Sequence, residues 1–264
     1  LNPRPQLVSF VLFAIVLLAW LRTIHDHRSR WWLVPLFWLW ACSHGLWAFG
    51  LFTSAVLLLS LLLDPGLRPS RRDAAQLTSV WLACVVAVAI TPLGPSLLLT
   101  PFQVANNAAA LAEEWMPTPV NNVFSIASLG MVVATAVLWL TTRRRPRLWE
   151  ASSLLLALVL TLAMWRLVPL GSILTVPLLA DALQPVVGRT RERWTRLERR
   201  GVIVAWAAAL GLAALVSAGP AGASAQQFPG DVRAVDAALG RLPAKTVVLD
   251  DFPISGWLLW RHPD

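Results

Sequence analysis

Long apolar runs alternate along this chain with short polar patches that are almost entirely arginine. Sixteen of the 22 basic residues fall in four of those patches: Arg22, Arg28 and Arg30; Arg68, Arg71 and Arg72; Arg143, Arg144, Arg145 and Arg147; and Arg189, Arg191, Arg193, Arg196, Arg199 and Arg200. The stretches between them run roughly 37 to 70 residues. A helix needs about 20 apolar residues to cross a bilayer, so each stretch holds two crossings and returns to the side it left. Short, positively charged loops stay cytoplasmic, and four clusters joined by hairpins satisfy that rule together.

The pattern predicts an all-α transmembrane helical bundle of about eight crossings. The first covers 6–21. The hairpin at 31–63 must cross twice in little space, so its helices are short or tilted. One crossing follows near 77–91 and another near 123–140, separated by the longest external loop, 92–122. The hairpin at 149–183 turns outside around Trp165, Arg166 and Pro169, and 202–217 is the last crossing. Both ends of the chain then face outward. The last segment also resembles a signal peptide, with a basic flank and Ala221-Gly222-Ala223-Ser224-Ala225 before Gln226, but its internal position favours a retained helix.

The pattern changes near 220, dividing a transmembrane domain, 1–219, from an external soluble segment, 220–264. Val232, Val235, Ala238 and Leu239 recur at helical spacing, and Gly240 suits a helix C-cap. Thr246-Val247-Val248-Leu249 reads as a short strand ending at Asp250 and Asp251. This is the start of a small α/β domain, too short to bury a core of its own.

Composition sharpens the picture in three ways. Only 14% of residues are charged and 57% are hydrophobic, with a mean hydropathy of +0.63; soluble domains carry about 25% charge. The net charge of +8 would suggest nucleic acid in a soluble protein, but here the arginines are loop anchors facing anionic lipid, so no nucleic-acid partner is expected. Tyrosine is absent while tryptophan occurs 15 times. Trp20, Trp31, Trp32, Trp139, Trp149 and Trp194 adjoin the basic clusters, where an interfacial aromatic belt belongs. Cys42 and Cys84, the two cysteines, sit in apolar segments and read as small buried hydrophobes, neither disulfide nor zinc ligands.

No phosphate-binding glycine loop, metal-spaced His/Cys set or nucleophile elbow occurs. Candidate chemistry therefore lies in polar residues on the external side. Glu113 and Glu114 adjoin Trp115 within the 92–122 loop, where they could act as a general base or hold a divalent metal; the alternative is a solvated connector. Arg166 is the sole basic residue of its hairpin and lies away from the clusters. A guanidinium at membrane depth is costly and often functional, and it can grip a lipid-linked phosphate or diphosphate bidentately; the alternative is an arginine snorkelling to the headgroups. His44, in Ser43-His44-Gly45, either binds a phosphate or carboxylate or caps its turn.

These residues carry a resemblance. Arg4-Pro5-Gln6, Leu39-Trp40-Ala41-Cys42-Ser43-His44-Gly45 and Glu114-Trp115-Met116-Pro117 resemble motifs of bacterial membrane proteins related to the GT-C glycosyltransferases. That superfamily includes protein mannosyltransferases and lipid A aminoarabinose transferases. Trp165-Arg166-Leu167-Val168-Pro169-Leu170 and Pro177-Leu178-Leu179-Ala180 resemble the family's late helix pair, and Gly256-Trp257-Leu258-Leu259-Trp260-Arg261 resembles a stretch of its external domain. Ser43 replaces a usual asparagine and Ser255 a usual glycine. The resemblance implies an integral membrane glycosyltransferase that moves a sugar from a polyprenyl-phosphate donor on the outer face of the cytoplasmic membrane. It also implies that the catalytic acid belongs to a first external loop preceding Leu1, so no catalytic residue is assigned here. Arg166, Glu113, Glu114 and His44 would line the substrate cavity. The residues alone leave open a non-enzymatic polytopic protein, either a lipid-carrier transporter or an assembly subunit.

Overall fold

The computed structural model describes residues 6–101 and 117–187, with isolated positions at 200 and 204. The chain divides into two compact units, and the one spanning 4–190 carries every helix described below. Seven α-helices occur among the described residues: α1 (Gln6–Asp26), α2 (Leu33–Ser43), α3 (Trp47–Leu63), α4 (Arg71–Ala89), α5 (Val123–Thr141), α6 (Leu148–Ala163) and α7 (Val168–Val187). Short 3-10 turns cover Pro95–Leu98 and Trp165–Leu167. No strand occurs among the described residues; the expected α/β segment at 220–264 and the crossing at 202–217 lie outside them.

Local chemistry sets the helix ends. The Ser70 hydroxyl accepts from the Asp73 amide at 3.1 Å and donates to the Asp73 carboxylate at 2.6 Å, which starts α4. The Asn122 carbonyl oxygen caps α5 by accepting from the Phe124 amide. α6 begins where the Glu150 carboxylate turns back to accept from the Arg147 amide at 2.7 Å. α5 closes in a Schellman motif: Arg144 N–H reaches Trp139 O and Arg143 N–H reaches Leu140 O, with Arg143 in the left-handed region at φ +49°. α1 closes similarly, with His27 at φ +52° donating from its amide to Thr23 O.

Four segments are long and apolar enough to span a membrane: Gln6–Asp26, Arg71–Ala89, Val123–Thr141 and Trp165–Val186. The other three helices are shorter. At 1.5 Å per residue, α2 with its 11 residues is only about 16 Å long, roughly half the hydrocarbon thickness. The 31–63 hairpin thus holds one short helix and one of 17 residues, as its limited length requires.

The helices pack in an order that follows the hairpins. α6 lies against α7, α5 against α7, α2 against α4 and α3 against α6, with α1 touching α3 and α7. Two glycines allow the closest approaches. A Cβ on Gly171 of α7 would overlap Thr161 Oγ1 and the Ala157 carbonyl of α6, and one on Gly50 of α3 would overlap the Trp40 ring of α2. Small residues at helix crossings serve this purpose in membranes. The Phe37 and Trp40 rings stack at 5.7 Å in the interior beside Phe13, Leu57, Leu61, Leu77 and Leu174.

The polarity is inverted relative to a soluble bundle. Leu7, Val8, Val11, Ile15, Leu18, Leu59, Leu63, Val133, Val137 and Leu140 are all exposed, while Ser9, Ser125, Ser128, Thr135, Thr161 and Thr175 are fully buried. Several interior hydroxyls bond across helices, including Ser128 to Thr161 at 3.0 Å and Ser60 to Ser152 at 2.7 Å. An apolar exterior around a hydroxyl-bearing interior suits lipid as the surrounding solvent.

Two expectations require correction. Trp20, Trp139 and Trp149 are packed in the core, whereas only Trp31 and Trp32 of the described belt candidates are exposed; Trp194 lies outside the described residues. Proximity to charge fixes a tryptophan's depth along a helix, not the side of the helix it occupies. For the same reason Cys42 is exposed while Cys84 is buried; both are free thiols.

Candidate functional site

The charged groups among the described residues lie toward the two ends of the bundle. One end carries the arginine loops. There Ser29 of the α1–α2 connection donates to Gln76 of α4 at 3.4 Å, and Ser60 near the end of α3 meets Ser152 near the start of α6. Arg144 Nη2 lies 2.6 Å from both Glu150 and Asp181, tying the α5–α6 connection to α7. Glu150 is only 2% exposed, so this arginine neutralises a carboxylate that would otherwise be stranded. A shallow cavity of about 570 Å³ also opens here, lined by Asp26, His27, Arg28, Ser29, Trp31, Asp73 and Gln76. Asp26 in its wall is forked by Arg30 at 2.8 and 3.0 Å.

The opposite end holds the candidate site. α2 stops at Ser43, whose hydroxyl donates to Trp40 O at 2.9 Å, and His44 then adopts an extended backbone at φ −165°, ψ 142°. α6 stops at Ala163, and Met164 is extended in the same way at φ −151°, ψ 141° before the turn that carries Arg166. In both hairpins an extended residue releases the chain from its helix: His44 itself in the first, and in the second Met164, two positions before Arg166. Because α3 packs on α6 and α1 bridges α3 and α7, the two breaks meet.

Arg166 Nη2 lies 2.8 Å from His44 Nε2, joining residues 122 positions apart. Both are half-buried. On the other edge of the ring, His44 Nδ1 lies 2.9 Å from Ser9 Oγ of α1, and Ser9 Oγ accepts from Trp40 Nε1 at 2.9 Å. Ser9 and Trp40 are completely buried. The Leu46 amide also approaches Nδ1, at 3.3 Å. Nearby, the Thr118 amide donates to Leu162 O at 3.3 Å, so the chain ahead of α5 docks on the end of α6. Gln6, His44 and Arg166 each take part in a further interaction.

A guanidinium has only N–H donors, so at this contact His44 Nε2 accepts from Arg166. The indole likewise can only donate, so Ser9 Oγ accepts from Trp40; toward Nδ1 the Ser9 hydroxyl donates or accepts according to the ring tautomer.

Of the four candidate site residues, His44 and Arg166 are brought into contact, while Glu113 and Glu114 lie outside the described residues. Among the described residues no group of three or more His, Cys, Asp or Glu side chains is placed to hold a metal. Ser9 and Trp40 were not candidates. Trp40 lies within the 39–45 motif, but Ser9 is a single hydroxyl in an apolar helix, 35 positions from its partner, with nothing local to mark it. No family model, no curated protein and no solved structure matches this chain.

Proposed function

We propose that this chain is part of a multi-pass glycosyltransferase of the GT-C type, using a polyprenyl-phosphate-linked sugar at the outer face of the cytoplasmic membrane. In this reading the arginine loops are cytoplasmic by the positive-inside rule, and the His44–Arg166 end faces outward. One observation carries the reading. A guanidinium stands at the end of the apolar bundle opposite the arginine loops, hydrogen-bonded to an imidazole from a distant hairpin. An arginine serving only as a headgroup anchor needs no such partner, whereas one that grips a phosphate benefits from a fixed orientation. Arg166 contacts the anionic head of the donor, and Glu113 and Glu114 belong to the loop that closes over it, with Glu114 orienting the acceptor or a metal.

The test is donor binding and sugar transfer by Arg166→Lys and Arg166→Ala in the protein purified into lipid nanodiscs. A charge-assisted contact contributes about 1.5–3 kcal/mol, so Arg166→Ala should weaken donor binding at least about tenfold. Arg166→Lys should recover only part, because it keeps the charge and loses the fork. Unchanged donor affinity in both variants would reduce Arg166 to a surface anchor. Donor binding without transfer of any sugar would favour a lipid-carrier transporter.

A further inference from the structure

The cavity at the arginine end carries an uncompensated pair of opposite charges. Asp26 in its wall is already balanced, because both its oxygens accept from Arg30. Asp73, on the α4 side, accepts from the Ser70 hydroxyl at one oxygen and has no ion pair among the described residues. Arg28, on the connection after α1, is exposed, and its guanidinium makes no hydrogen bond or ion pair among the described residues. The cavity therefore offers one carboxylate and one guanidinium to whatever enters it. Ser29 and Gln76 tie its two sides together at 3.4 Å; that bond uses the Gln76 carbonyl oxygen and leaves the amide N–H groups for a ligand. His27 completes the wall. Its Nε2 is buried and has no hydrogen-bond partner among the described residues. Buried polar atoms are hydrogen-bonded as a rule, so this nitrogen calls for a partner from the cavity.

We propose that this cavity binds the phosphoethanolamine headgroup of a membrane phospholipid, with the phosphate against Arg28 and the ammonium against Asp73. Three features select that chemistry. The two uncompensated charges are opposite, so a zwitterion satisfies both, whereas a simple anion leaves Asp73 unpaired and meets its repulsion. A primary ammonium brings three N–H donors to the carboxylate; a choline group carries the same charge and has none. His27 Nε2 suits a zwitterion in either ring tautomer, donating to a phosphate oxygen when protonated and accepting from the ammonium when bare. Location selects a lipid over a soluble zwitterion. Trp31 lines the cavity and is exposed together with Trp32, and tryptophans so placed at the end of an apolar bundle sit at headgroup level. The volume of about 570 Å³ suits a small polar group, and the shallow opening leaves the acyl chains in the bilayer. The site shares no residue with the His44–Arg166 end. It requires lipid around the bundle and stands whether or not the chain transfers a sugar.

The experiment is native mass spectrometry of the delipidated protein in detergent, titrated separately with dioleoyl phosphatidylethanolamine, phosphatidylcholine and phosphatidylglycerol, and with free phosphoethanolamine. The ethanolamine lipid should bind about tenfold more tightly than the choline lipid, the factor expected of charge-assisted hydrogen bonds to one carboxylate. Asp73→Asn should bring that ratio close to one while leaving the affinity for the glycerol lipid unchanged or higher. The substitution keeps an oxygen for the Ser70 hydroxyl, so α4 keeps its start, and circular dichroism should show wild-type helix content. Arg28→Gln should weaken the ethanolamine and choline lipids about equally. Arg71→Gln, which removes a neighbouring arginine outside the cavity lining, should leave the ethanolamine preference intact. Equal binding of the ethanolamine and choline lipids by the wild type overturns the proposal, as does a preference that survives Asp73→Asn or disappears in Arg71→Gln. Parallel loss of the ethanolamine and glycerol lipids in Asp73→Asn would mean that Asp73 shapes the cavity rather than holding an ammonium, and overturns it too. Free phosphoethanolamine binding as tightly as the lipid would overturn the lipid assignment and make this a site for a soluble zwitterion.

Discussion

Gly171→Ala is the most direct probe of how the helices hold the site. The added methyl would overlap two groups of α6, Thr161 Oγ1 and the Ala157 carbonyl oxygen. The first cannot simply rotate away, because it is bonded to buried Ser128 at 3.0 Å. The second is backbone and moves only with α6 itself. The two helices must therefore part, and overpacking of this kind costs about 1–3 kcal/mol. Loss of the Ser128–Thr161 bond adds about 0.6 kcal/mol, a typical value for a hydroxyl contact inside a membrane bundle. Helix propensity offsets roughly 1 kcal/mol in favour of alanine, leaving a net destabilisation of about 0.6–2.6 kcal/mol. Gly130→Ala is the control: a Cβ there meets nothing within 4 Å, so only the propensity gain remains. Unfolding of the two variants by graded denaturant, followed by tryptophan fluorescence, should move the transitions in opposite directions. Adding Thr161→Ala to Gly171→Ala should rescue only in part, since the Ala157 carbonyl still collides. Gly171→Ala that unfolds together with Gly130→Ala would refute the close approach of α6 and α7.

Other predictions concern the arginine end. Arg144→Met should destabilise the bundle by about 3 kcal/mol, because it strands the buried Glu150 carboxylate, and Arg144→Met combined with Glu150→Gln should recover much of that; additive losses in the pair would show that the contact at 2.6 Å contributes little. Single cysteines placed in the 22–30, 65–73, 143–148 and 188–200 loops of a cysteine-free background should resist an impermeant thiol reagent in intact cells, and labelling of any one loop from outside would refute the proposed orientation.

Much of the bundle was legible because its signals are local. Arginine clusters mark connections, and Ser70, Asn122 and Glu150 start helices through partners within three residues. Facing was not legible. Trp31 and Trp20 both lie within two residues of the first cluster, yet one is 53% exposed and the other 3%, because depth along a helix says nothing about rotation about its axis. Nor does hydropathy distinguish an apolar helix long enough to cross a membrane from one such as α2, with 11 residues. At the site, His44 and Arg166 were each conspicuous as polar residues near outer turns. Their contact depends on α3 packing against α6, which no single segment encodes.

The end of α5 has a consequence of its own. The left-handed residue that closes a Schellman motif is ordinarily glycine, and a side chain there costs about 1 kcal/mol. In this chain the position is Arg143, at φ +49°, the first charge of the third arginine cluster. In the proposed orientation one residue thus answers to two demands, the geometry of a helix end and the positive-inside rule. Glycine would satisfy the first and weaken the second.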